Sequence, residues 1–208
     1  MKRTRENADK TKQLIIETSY EVFKSVGYDN ASLVDIAKNA NLTRGALYWH
    51  FKDKRALYEY IVRLKLSEII EEKENLFDDE NCSLKELITN LLKVHIKDSD
   101  KYFFINQMVY LRLFHQELND IATEIDDVKR VYFDKLELFI KNKINPNNEL
   151  DDALCQRITS FIYTLFEGIH IYNLQKARGE ALTENDIDLY MQIIMIAFND
   201  IFLNNKKI

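Results

Sequence analysis

The sequence predicts an all-α protein, and three observations carry that prediction. Glycine and proline number only 4 and 1 in 208 residues, whereas sandwiches and doubly wound sheets need many glycine-bearing turns. Apolar residues make up 46% of the chain and recur every three or four positions instead of alternating. Hydroxyl and carboxylate residues stand where those periodic runs begin, as helix caps do.

Each helix can be justified in order. Leu14, Ile15, Thr18, Val22 and Phe23 recur at helical spacing, predicting a first helix over 10–26 that stops at Gly27. Ser32, followed three residues later by Asp35, resembles a capping box and opens a second helix with Val34, Ile36, Ala37 and Ala40 as its apolar positions. Thr43 is a good N-cap for a third helix. Asp53 caps a fourth that runs through Tyr58, Ile61, Leu64 and Ile69 to about Phe77. Ser83 with Glu86 gives another box and starts a helix through Leu87, Leu91 and Val94. A very apolar helix is expected from about Lys101 to Leu118, and a seventh through Ile121, Val128 and Leu136 to about Lys143. Asn145-Pro146-Asn147-Asn148 is the clearest loop. Two final helices are expected over about 149–177 and 184–204, separated by Arg178-Gly179 and restarted by Thr183.

Composition narrows the function classes. The basic start MKRTR is followed by no apolar run, so it is not a secretory signal, and no stretch of 18 apolar residues could span a bilayer. Cys82 and Cys155 are too few for a disulfide scaffold or zinc cluster, which fits a reducing cytoplasm. His50, His95, His115 and His170 fall on different helices, with no HExxH pair, serine elbow or glycine-rich phosphate loop. A non-enzymatic cytoplasmic protein is expected, with no catalytic residue, metal or cofactor. The net charge of −5 is unevenly spread. Residues 1–55 hold 11 Lys and Arg against 7 Asp and Glu, a balance of +4, while residues 56–208 hold 18 against 27. A basic end on an acidic body is expected when only that end meets phosphate.

Residues 32–54, SLVDIAKNANLTRGALYWHFKDK, read as two short helices joined by a tight turn. On the second, Arg44, Gly45, Tyr48 and Trp49 span about 140° of one side, while Ala46, Leu47, His50 and Phe51 take the other. The second set can pack on a core, and the first is suited to press against something outside the protein. This is what a helix-turn-helix needs to enter a DNA major groove. Arg44 matches the O6/N7 edge of guanine, Gly45 has no side chain to hold the helix off, and Tyr48 suits a phosphate or a thymine methyl. Ser32 and Thr43 sit at helix N-termini where they could grip phosphate, or serve as caps alone. Trp49 projects from the reading side, with packing against the neighbouring helix as its other destination.

The segment from about Lys10 to Tyr58 resembles the DNA-binding domain of the TetR family of bacterial transcriptional regulators. The match is carried by Phe23, Gly27, Tyr28, Ile36, Ala37, Gly45, Tyr48, His50, Phe51 and Lys54, and RGALYWHFKDK at 44–54 is closest to the AcrR-like branch. RLFHQE at 112–117 resembles a Phe-His segment in the sixth helix of that branch. The resemblance implies about nine helices, with a DNA-binding domain over 1–53 and a ligand-binding and dimerisation domain over 54–208. It implies phosphate contacts from Tyr48, His50 and Lys54, and an arm of Lys2, Arg3 and Arg5. It also implies repression of efflux or stress genes, lifted by an apolar, aromatic or cationic inducer. Phe104, Met108, Phe114, Phe133, Tyr163 and Phe166 would wall the inducer cavity, with His115 or Glu167 as its polar anchor.

One short reading helix covers only a few base pairs, so two must be paired across a two-fold axis. Ser160, Thr164 and Gly168 form a narrow small-residue track on a helix that is apolar nearly all round. Met191, Ile194 and Phe198, with Ile187 and Ile201, supply a complementary stripe. A homodimer through a four-helix bundle is the direct reading; burial of both helices within one subunit is the other. A helical regulator that binds operator DNA without any small-molecule inducer, as activator or repressor, also fits the sequence.

Overall fold

In the computed structural model, which describes residues 2–79, 81–97, 99–144, 151–176 and 183–205, every regular element is helical. Nine α-helices occur among the described residues: α1 Lys2–Asn30, α2 Leu33–Asn39, α3 Arg44–His50, α4 Lys54–Glu74, α5 Leu84–Lys97, α6 Ser99–Leu111, α7 Asn119–Ile144, α8 Asp152–Lys176 and α9 Glu184–Asn205. A short 3-10 turn, Gln116–Leu118, precedes α7. The loop expected at 145–148 and the break at 178–179 lie outside the described residues.

The caps read from sequence are made. Ser32 Oγ accepts from the Asp35 N–H at 3.1 Å, and Asp53 Oδ1 accepts from the Ala56 N–H at 2.7 Å. Ser83 and Glu86 cap each other, the Ser83 N–H donating to Glu86 Oε2 at 2.8 Å and the Glu86 N–H to Ser83 Oγ at 3.2 Å. The Ser83 N–H, then the Ser83 hydroxyl, which donates to the same Oε2 at 2.7 Å, hold the Glu86 carboxyl below the usual carboxylate range. Thr183 and Asp186 repeat the arrangement before α9.

Two helices differ from expectation. α1 does not stop at Gly27; it kinks there, at φ 78° and ψ 169°, and one more turn follows, closed by the Ala31 N–H on the Gly27 carbonyl at 3.2 Å. It also starts at Lys2, well before residue 10. α6 ends at Leu111 rather than Leu118, because the chain turns out of it through i→i+3 bonds at Leu113 and Phe114. His115 then leaves the helical region, at φ −128°, with its Nε2 2.7 Å from Asp29 Oδ1 and its Nδ1 3.3 Å from Glu117 Oε1. A tertiary contact therefore overrides a local sequence that reads as helix.

The chain divides into two compact units, Met1–Ser67 with Met108–Ala122, and Glu68–Gln107 with Thr123–Ile208. The head expected over 1–53 thus lies in a unit that also takes in the start of α4 and the segment around the 3-10 turn. Its core is built from Ile15, Phe23, Ile36, Leu47, Leu57, Tyr58 and Ile61, all fully buried. Tyr58 meets Phe23 edge-on and Tyr28 at a tilt, each at 4.8 Å between ring centres, and burial pushes the Tyr58 phenol up. The second unit has its own core, including Leu87, Ile88, Leu92, Ile140, Cys155 and Ile162.

Gly27 occupies backbone space that is almost closed to other residues, although a Cβ built there meets nothing within 4 Å. Gly27→Ala is therefore expected to destabilise through backbone strain alone, by about 1–3 kcal/mol. A urea unfolding curve with an unchanged midpoint would contradict this.

Candidate functional site

The turn between α2 and α3 is tight and locally determined. The Ala40 N–H closes α2 on the Ile36 carbonyl at 2.9 Å, Asn41 adopts a left-handed φ of 53°, and the Leu42 N–H reaches back to the Ala37 carbonyl at 2.8 Å. Asparagine tolerates that conformation better than most side chains. Thr43 Oγ1 accepts from the Ala46 N–H at 3.2 Å, which starts α3 and leaves the hydroxyl proton to an outside acceptor. Ser32 is engaged with Asp35 through both its bonds.

α3 is split as its sequence predicts. Leu47 is fully buried and Phe51, its C-cap, nearly so, while Trp49 is 72% and Tyr48 53% exposed. Arg44 and Gly45 are exposed on the first turn, and Arg44 makes no ion pair among the described residues. A Cβ on Gly45 would meet only Thr43 Oγ1, at 3.9 Å, so nothing inside the protein requires glycine there. His50 is half-buried, edge-on to Trp49 at 4.5 Å. Burial, then the Lys12 ammonium, hold its imidazole below the usual range, with Asp9 working against them. Lys54, expected at the phosphate backbone, is engaged inside the head instead. Its Nζ donates to the carbonyls of Tyr28, Ala31 and Asp29 at 2.8, 3.2 and 3.3 Å and sits 4.4 Å from the Tyr28 ring centre. The side chains of Lys2, Arg3 and Arg5 lie outside the described residues.

The residues expected around an inducer are only partly gathered. Phe104, Met108 and Phe166 are buried, and Phe133 meets Tyr163 edge-on at 5.8 Å. Burial and the nearby Glu167 push the Tyr163 phenol up. Glu167 lies 3.4 Å from Lys129. Phe114 is 82% exposed, and Met108, Phe114 and His115, the last beside Asp29 and Tyr28, belong to the unit that holds the head, whereas Phe104, Phe133, Tyr163, Phe166 and Glu167 belong to the second.

Sequence reasoning missed the most unusual polar group of the second unit, Lys73 of α4. Its side chain is buried, with Nζ 3.4 Å from His95 Nε2, 4.8 Å from the Tyr102 ring centre and 5.3 Å from that of Tyr132. His95 is stacked between Tyr102 at 4.3 Å and Phe166 at 5.1 Å, and its Nδ1 lies 2.7 Å from the Leu91 carbonyl. Tyr132 donates to the Ile70 carbonyl at 3.0 Å, and its phenol is pushed up to about 12 by burial and Glu74. Nothing in the stretch Glu71-Glu72-Lys73-Glu74 marks Lys73 as the residue that turns inward.

The face expected to pair two subunits is also altered. Ser160, Thr164 and Gly168 are exposed along α8, but Met191 and Ile194 of α9 are 2% exposed and lie in their own unit's core. The outward apolar side chains are Phe161, Leu189, Ile193 and Ile196. The Phe198 side chain lies outside the described residues. Phe161, Thr164, Leu165, Gly168, Ile169 and Tyr190 line an apolar recess of about 420 Å³.

A short helix closed by a left-handed turn, buried on one face and showing arginine and aromatic rings on the other, defines a helix-turn-helix DNA-binding regulator. Residues 15–61 match the model for bacterial regulatory proteins of the tetR family. The chain is 25% identical over 172 residues to the HTH-type transcriptional regulator AcrR of Shigella flexneri, covering 81% of this chain and 80% of that one. It is 30% identical over 148 residues to the HTH-type transcriptional repressor BepR of Brucella suis, covering 67% and 68%. A transcriptional regulator from Aquifex aeolicus shares the fold with a TM-score of 0.64 at 24% identity, over 92% of this chain and 99% of the other. The chain belongs to the TetR family of bacterial transcriptional regulators.

Burial holds the Lys73 amine down to about 7 against an ordinary 10.5, Glu167 partly offsetting this and Lys129 adding to it. Between those values the unfolded chain binds more protons than the folded one, so this group lets stability rise with pH from about 7 towards 10.5. Lys73→Met should therefore raise the melting temperature by roughly 5 °C or more near pH 7. The gain should shrink towards pH 10. A thermal melt at both pH values checks the sign, and a lower melting temperature at neutral pH would contradict it.

Proposed function

We propose that the chain is a cytoplasmic, homodimeric repressor that holds an operator through α3 and is released by a small hydrophobic or aromatic effector. The observation that carries this reading is the outward face of α3, where Trp49 and Tyr48 stand in solvent beside Arg44 and Gly45. Large exposed rings are tolerated where a partner will cover them. Arg44 reads a guanine edge, Tyr48 and Trp49 lie along the groove wall, and Thr43 donates to phosphate. Ser32 and His50 act at the flanking backbone, and Lys54 serves indirectly by fixing the end of α1.

The apolar strip of Phe161, Leu189, Ile193 and Ile196 around the α8 recess supports pairing of two copies, with Ser160, Thr164 and Gly168 allowing close approach. The aromatic interior of the second unit supports an effector site. Control of efflux or stress genes follows from the AcrR-like character of residues 44–54 and from the likeness to AcrR and BepR. The effector acts only through different affinities for the operator-bound and released states. A coupling of about 1–3 kcal/mol would weaken operator binding roughly 5–150-fold.

Filter binding against the promoter beside its own gene, with and without candidate drugs, tests the reading. A salt-sensitive, sequence-selective complex is expected, and its absence would count against the proposal. Arg44→Ala should lose about 1–3 kcal/mol of specific binding and relax one base preference. Gly45→Ala should leave the melting temperature unchanged or slightly higher, since alanine is the better helix former and has room. Operator affinity should nevertheless fall, because the added methyl meets the groove. Full affinity in that variant would remove Gly45 from the interface.

A further inference from the structure

We infer that Lys73 is the polar anchor of the effector site, and that the effector it selects is a hydrophobic acid, a carboxylate carried on an apolar body. The inference rests on the effector-responsive reading above and names its ligand class. Its basis is a half-made ion pair. A basic side chain has been drawn into an aromatic interior, where carrying a charge without a counter-ion is expensive. Among the described residues, no carboxylate lies within ion-pair distance of Lys73 Nζ. The groups that face it are His95 of α5, Tyr102 of α6, Tyr132 and Lys129 of α7, and Glu167 of α8. Glu167 is the one acid in that set, and it lies beside Lys129 instead.

The neighbouring histidine sharpens the point. The Leu91 carbonyl can only accept, so His95 Nδ1 donates to it, and Nε2 can then accept from a Lys73 ammonium. An imidazole accepting in this way satisfies one N–H of the amine and supplies no negative charge. Two ring faces supply weak attraction to a cation and no anion. A carboxylate reaching Nζ would complete the pair, while the stack of Tyr102, His95 and Phe166 offers flat apolar contact to the rest of the molecule. An alkylammonium would oppose protonation of the amine and bring it no anion, and an amide would form a hydrogen bond without the ionic part.

Matched probes on the full-length protein test this by calorimetry: decanoate, decanamide and decylammonium, and 4-phenylbutanoate with its amide and its amine. At least one acid should bind about tenfold or more tightly than both its partners. Binding should take up a proton at pH 8 and less at pH 6, seen as a dependence of the measured heat on the buffer's ionisation enthalpy. In Lys73→Met, whose melting temperature without ligand confirms that it is folded, the preference for acid over amide should vanish. In Lys129→Gln it should persist. Equal affinities within both sets, preference for the amines, or an acid preference that survives Lys73→Met but not Lys129→Gln would overturn the inference. So would binding by none of the six. The reading beneath it fails separately, only if no compound in a broad panel of neutral, cationic and anionic molecules releases the operator.

Discussion

A helix of seven residues does not persist in water on its own, because so few hydrogen bonds cannot repay the ordering of its first turn. α3 exists because Leu47 and Phe51 are anchored in the head's core, and that anchoring fixes everything its other face can do. Rotating the helix to hide Trp49 would bring Leu47 into solvent. The exposure of the aromatic face is thus held by the burial of the opposite one. The left-handed Asn41 and the Thr43 cap then set where the helix begins. Lys54 extends the same logic by tying the start of α4 to the carbonyls that end α1. The ammonium that the family resemblance would send to phosphate holds together the framework on which the reading helix rests.

The local rules were legible in the sequence wherever one residue's chemistry decided the outcome. Caps at Ser32, Thr43, Asp53, Ser83 and Thr183 need a short oxygen-bearing side chain at a fixed offset, and the structure makes each of them. The division of α3 follows from angular position alone. What could not be read is which of two adequate apolar faces turns inward. α9 carries one stripe through Ile187, Met191 and Ile194 and another through Leu189, Ile193 and Ile196. Hydropathy ranks them alike, and only the packing shows that the first fills its own unit's core. The end of α6 was hidden for a different reason: Arg112 to Gln116 has no helix breaker, and the turn is stabilised by Asp29, more than eighty residues earlier.

Lys73 was illegible because its sequence neighbours describe a solvated surface. In the stretch Glu71-Glu72-Lys73-Glu74 the acids at 71 and 74 remain exposed while the lysine turns in. Only the tertiary arrangement of His95, Tyr102 and Tyr132 reveals it, and those residues come from three other helices. A buried cation of this kind is rarely explained by stability, since an apolar residue of similar volume would serve better. Retaining one is therefore an argument for a task outside folding.

The charge distribution bears on which task that is. Outside residues 1–55 the chain carries a net −9, so its body repels an acidic effector at a distance, as it repels DNA. At physiological ionic strength that repulsion is screened beyond about 8 Å, whereas a desolvated contact is hardly screened at all. Long-range steering therefore works against an acid, and selectivity for one has to come from a short-range contact that outweighs it. Lys73 can supply such a contact because it is buried beside an imidazole rather than beside a resident carboxylate. The arrangement at α3 is the opposite: Arg44 is solvated, and in the proposed operator complex the basic head would add to its attraction for phosphate before any base is touched. The two units would thus use positive charge in two regimes, long-ranged and salt-sensitive at DNA, short-ranged and dependent on burial at a small acid.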